Sequence, residues 1–244
     1  MVSAASSPIA ANWPRWRVAL IRVWAALLTA LGLMMASGVA QIADAGPDER
    51  FMYASSTVWK MLSLGGVAFV MWTGGRSVAA YWAIATGQLV WMISGILSPQ
   101  PDGNGIALTL VNLVIFYGPL IALRPRRREL LRPRFRPSAV LAAMAVAGSV
   151  FLAGFAVHLS RTLAGEIGFD MVGLYLILGA MALFAALRPA GGQLVAPLVA
   201  AATVLVGVAA MMFPNDQASA GQLGGALLIA GGLAFGAVGH WKER

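Results

Sequence analysis

Apolar residues in this chain neither alternate nor keep to one narrow helical stripe. They run in blocks, and the polar residues are pushed into the joints between them. Eight blocks stand out, at 18–40, 54–73, 77–98, 105–123, 138–159, 168–187, 193–213 and 219–240. Each is close to the roughly 20 apolar residues that a helix needs to cross a bilayer. Alanine, leucine, valine and glycine dominate the blocks, while proline and glycine punctuate the joints. A spanning β-barrel would show strands of about ten residues with strict alternation, and no such pattern is present. Helices satisfy every backbone N–H within the segment, which lipid demands. The pattern therefore predicts an all-α polytopic membrane protein with eight transmembrane helices.

Composition agrees. Of 244 residues, 59% are hydrophobic and only 11% charged, and the mean hydropathy is +0.79. A soluble domain carries about a quarter charged residues, so this chain has too little polar surface to cover a soluble fold of its size. Cysteine is absent, which excludes disulfides and thiolate chemistry. The first block follows a short basic lead in the manner of a signal peptide, but its apolar run is longer than a signal core. It is read as an uncleaved helix.

The net charge of +8 changes the picture through its distribution. With the N-terminus in the cytoplasm and the helices alternating, the inside receives Arg15, Arg17, Arg22, Arg76, Arg188, Lys242 and Arg244. It also receives the run Arg124, Arg126, Arg127, Arg128, Arg132, Arg134 and Arg136. The outside receives only Arg50 and Arg161, together with Asp44, Asp48, Glu49, Asp102, Glu166, Asp170 and Asp216. Basic residues concentrate on the cytoplasmic side of membrane proteins, so both termini are expected inside, in a bacterial inner membrane. The resulting organisation is a cytoplasmic segment 1–17, a four-helix half 18–123, a basic cytoplasmic loop 124–137, a second four-helix half 138–240 and a tail 241–244. The loop lacks the interleaved aromatics of a single-strand nucleic-acid binder, and its prolines oppose a long helix. It reads as a topology determinant that lies against anionic lipid headgroups.

The two halves invite comparison as a repeat. "WKMLSLGGVAFVMWTGGRS" lies over "FDMVGLYLILGAMALFAALRP", and the fourth and sixth blocks both exit through "ALRP". An even number of spans per half would make the halves parallel.

Ionisable and amide groups inside spans are costly and mark candidate sites. Lys60 stands near the outer end of the second block, where it could snorkel, pair with Asp170, or bind an anion. Glu166 and Asp170 are four apart and share a helix face, with a cation or proton site and simple helix capping both open. His158 sits near an outer end, as an interfacial residue or a relay member. Gln88 and Asn112 are the most expensive amides and point to a polar cavity in the first half, although interhelical hydrogen bonds explain them equally. Glycines in "GLAFG" and "GQLGG" allow close helix contact. No metal, cofactor or catalytic signature is present, and none is expected.

At "GLYLILGAMALFAALRP" and "NLVIFYGPLIALRPRRRELLR" the chain resembles the DoxX-like four-helix bacterial membrane proteins, in tandem. The resemblance implies membrane-associated redox complexes as a setting and assigns no catalytic residue. Three functions follow as expectations. The first is a non-enzymatic accessory or scaffold subunit, with other membrane subunits or a second copy as partners. The second is a transporter or channel for a small solute or proton. The third, from the resemblance alone, is a lipid- or quinone-handling redox partner.

Overall fold

The computed structural model describes residues 14–35, 42, 44–46, 49–55, 86, 89–90, 135–163, 165–189 and 195–241. Five long helices are found among them: α1 (Arg15–Met35), α2 (Ala139–Thr162), α3 (Gly165–Ala186), α4 (Val195–Met212) and α5 (Gly221–Trp241). Among the described residues the fold is all-helical, with a single isolated bridge between Phe135 and Pro189. α2, α4 and α5 are long and apolar enough to cross a membrane, and Met171–Ala186 of α3 forms a shorter apolar helix. The blocks at 138–159, 168–187, 193–213 and 219–240 thus correspond to α2–α5 within a few residues, and 18–40 to α1. The blocks at 54–73, 77–98 and 105–123 lie almost wholly outside the described residues, as do Lys60, Gln88, Asn112 and the arginines from Arg124 to Arg134.

α2 and α3 form one antiparallel hairpin and α4 and α5 another, and the hairpins touch through α3 with α4 and α2 with α5. α3 is apolar all round, the signature of a helix enclosed by others. From Met171 to Ala186 most of its residues are buried, although Leu183 is exposed. α2 is the opposite case. Only 22% of its most apolar window is buried, and Val146, Val150 and Val157 face outward. In water such a surface would drive association; in a bilayer it is ordinary lipid-facing wall. α1 shows the same device, with Trp16, Leu20, Val23 and Leu27 exposed at helical spacing.

Helix contact inside the second hairpin depends on glycine. A Cβ on Gly207 would lie 2.7 Å from the Gly225 carbonyl oxygen, and one on Gly225 would lie 2.7 Å from that of Gly207. The two backbones therefore meet directly. Further along, Gly232 and Gly236 of "GLAFG" abut Val204 and Ala200, as the sequence predicts for that motif. Small residues replace the hydrophobic effect as the source of contact when the surrounding medium is itself apolar. In the first hairpin, the Ser149 hydroxyl donates to the Gly179 carbonyl across 2.9 Å.

At the α3–α4 end the chain entering α2 pairs with the chain leaving α3. Arg136 N–H donates to Leu187 O at 3.0 Å, and Ser138 N–H to Ala186 O at 3.1 Å. Ser138 is also the N-cap of α2, its hydroxyl accepting from Leu141 N–H, as a serine in that position should. Arg188 turns the chain out of α3 in the left-handed region, at φ 46, while its N–H reaches Ala185 O at 3.0 Å. That is a helix stop normally given to glycine. An L-residue there carries on the order of 1 kcal/mol of strain. Arg188→Gly should therefore melt in detergent at or above the temperature of the parent protein. A fall of several degrees would mean that the side chain's contacts outweigh the strain.

Candidate functional site

The opposite end of the bundle, where α4 turns into α5, holds the most specific polar arrangement among the described residues. The turn follows from "FPNDQASAG": Pro214 and the short polar residues after it favour a turn over helix continuation. Asp216 N–H donates to Phe213 O, and Ser219 N–H to Asp216 O at 2.9 Å. The Ser219 hydroxyl donates to Ala210 O at 3.2 Å and accepts from Gly221 N–H at 3.1 Å. Gly221, at φ +70, begins α5.

These bonds fold the turn inward, so Asp216 is buried rather than solvated, at 7% exposure. Its Oδ2 accepts from Phe51 N–H at 2.9 Å, across 165 residues of sequence. Residues 50–55 are helical, and Phe51 lies in the first turn, where no intrahelical carbonyl is available to its N–H. Asp216 caps that helix from a distant loop, a role usually taken by a local side chain. The preceding turn is closed by Glu49 N–H to Gly46 O.

Most of the side chains around this bond are apolar. Phe51 and Ser55 are fully buried. Phe51 joins Leu152, Leu159, Met171 and Tyr175 in one apolar cluster, with Met52 and Ala54 against its edge. The Tyr175 hydroxyl donates to Ala218 O at 3.3 Å, and the Tyr175 ring meets Phe155 edge-on at 4.9 Å. Residues from α2, α3, the α4–α5 turn and the 49–55 segment thus meet in a single knot. Removing the carboxylate with Asp216→Ala leaves a buried N–H without its acceptor, at a cost of about 1–2 kcal/mol. Asp216→Asn keeps an acceptor oxygen and should lose less than half of that. Melting of the full chain in detergent reads both, and parental stability in Asp216→Ala would show that the cap holds nothing.

The structure treats the sequence candidates unequally. His158 is exposed on α2, its ring 6.2 Å from that of Phe155, and it does not join the knot. Glu166 and Asp170 lie in the first turns of α3, four residues apart as expected. Arg136 is exposed at the entry to α2. Asp216, Tyr175 and Phe51 were not among the candidates, because an acid in a short polar turn reads as solvated and nothing local marks its partner. No group of three or more potential metal ligands occurs among the described residues. The hydroxyls of Ser149, Ser160, Thr162 and Thr203 all donate to backbone carbonyls. The knot ties the 49–55 segment to the α4–α5 turn through the Asp216 carboxylate. No family, curated protein or solved structure matches the chain.

Proposed function

We propose that this chain is a multi-pass protein of a bacterial cytoplasmic membrane. It crosses eight times with both termini inside, and serves as a non-enzymatic accessory or scaffold subunit of a membrane complex. The observation that carries the scaffold reading is the apolar packing of α2–α5 against one another. Their hydroxyls turn back onto carbonyls, and α4 and α5 meet backbone to backbone. A transporter of this kind places a polar site near the midplane, usually beside broken helices. Here α2, α4 and α5 run unbroken. The outward apolar faces of α1 and α2 provide wall for lipid, other membrane subunits or a second copy of the chain. The tandem four-helix organisation, and the DoxX-like resemblance with its redox setting, belong to the same reading.

The test is purification of the tagged chain from its native membrane in a gentle detergent, with mass spectrometry and an absorption spectrum of what accompanies it. Stoichiometric membrane proteins support the reading. A lone colourless chain that moves solute or protons across reconstituted vesicles would replace it with transport. In that case Lys60, Gln88 and Asn112 become the first residues to vary.

A further inference from the structure

Beyond α1, the described residues of the first half fall within 42–55 and 86–90. Each stretch packs against an apolar cluster built from α2–α5. At the α4–α5 turn, Phe51 belongs to the cluster that holds Leu152, Tyr175 and Val206. Phe51 and Ser55, one turn apart, are both fully buried, so the 49–55 segment is enclosed there. At the opposite end, Leu141, Ala145, Met181, Phe184 and Phe235 form a second cluster, and Val90 packs against it. Residues 89–90 are helical. Thr86 and Val90, again one turn apart, are half-buried, whereas Leu89 is 51% exposed. A helix with one face covered and another open rests against a partner along the covered face.

The two anchors sit at opposite ends of the same four helices. One anchor would leave the first half free to pivot; two, separated along the bundle, fix its position. Among helices in lipid, close packing takes the place of the hydrophobic effect. Ala142 of α2, Ala182 of α3 and Val238 of α5 flank the same cluster as Val90, and all three are half-buried. Two of them are alanines, which let a neighbouring helix approach closely.

We propose that the two halves of the chain are docked to one another, with the cluster of Leu141, Met181 and Phe235 as the docking surface and the helix that carries Val90, in the block 77–98, as its occupant. The loop 124–137 then connects two halves that already hold each other. The proposal rests on the two-half organisation above and goes beyond it, because it names the surface through which the halves meet.

The test uses the full chain, which has no cysteine of its own, with a specific protease site placed in the loop 124–137. Val90→Cys is combined in turn with Ala142→Cys, Ala182→Cys and Val238→Cys, and each protein is oxidised in its native membrane and then cleaved. Two cysteines join only when their Cα atoms come within about 7 Å, so a disulfide reports contact. At least one pair should keep the cleaved chain at its full mass on a denaturing gel until reductant is added. The pair Val90→Cys/Leu223→Cys is the control, since Leu223 is 77% exposed at the other end of α5, and it should separate into two fragments. Separation in all three test pairs overturns the proposal, as does equal linking in the control. Linked material at twice the chain mass would make a second copy the occupant and overturn it too. Alkaline extraction of native membranes reads the membrane assignment separately. A chain released by alkali that still links refutes that assignment and leaves the docking; a retained chain that does not link refutes the docking alone.

Discussion

Gly207→Leu should separate α4 from α5 and abolish the recovery of folded protein. The physical reason is that the obstacle is backbone. A Cβ on Gly207 meets the Gly225 carbonyl oxygen at 2.7 Å, the Ile229 side chain at 2.8 Å and the Ile229 backbone nitrogen at 3.0 Å. Ile229 could rotate away, but the carbonyl and the amide belong to a helix and cannot. Overpacking in a tight core costs about 1–3 kcal/mol even when side chains can shift, and a leucine adds far more than one methyl group. Gly207→Ala should show a graded loss. A control at Gly231, where a Cβ would meet nothing within 4 Å, should leave the melting temperature near that of the parent. The readout is the monodisperse fraction after detergent extraction, followed by thermal melting. Folding of Gly207→Leu at parental yield would mean that α4 and α5 do not meet at this crossing.

The second large effect belongs to Phe51. Its ring is fully buried in the cluster formed by α2, α3 and the α4–α5 turn, and its N–H is held by Asp216. Phe51→Ala empties a large part of that cluster. Core phenylalanine truncations cost about 3–5 kcal/mol, so this variant should be the most destabilising single truncation at this end. Phe135→Ala, by contrast, removes a ring that is 42% exposed, and its effect should stay below about 1 kcal/mol. Combining Phe51→Ala with Asp216→Ala should cost less than the sum of the two, because both loosen the same segment from the same partners. Full additivity would indicate that the ring and the carboxylate act on separate structures.

These two sites also mark the boundary of what the sequence discloses. α2, α4 and α5 were legible because an apolar run of bilayer length has few other uses, and their ends fall within three residues of the expected blocks. α3 starts at Gly165 rather than 168, since Glu166 and Asp170 are compatible with the positive end of a helix although they interrupt the apolar run. The glycines of "GLAFG" announced close contact, but Gly207 stands alone in an alanine- and valine-rich stretch, and its opposition to Gly225 is a matter of helix rotation. Asp216 counts among the outer acids in the sequence. Its burial depends on a chain segment 165 residues away, and spacing alone does not reveal such a partner. Residues 135–138 are non-helical, in keeping with Pro137, yet their pairing with 186–189 has no signature in either stretch.

The central claim is the membrane topology, and the absence of cysteine from the chain makes it directly measurable. Single cysteines at Gln217, exposed in the α4–α5 turn, and at Arg128, in the basic loop, would be labelled in intact cells with a membrane-impermeant maleimide. The account predicts labelling of Gln217→Cys from outside, and labelling of Arg128→Cys only after the cytoplasmic membrane is opened. Labelling of Arg128→Cys in intact cells with Gln217→Cys protected, or equal labelling of both from one side, would contradict it.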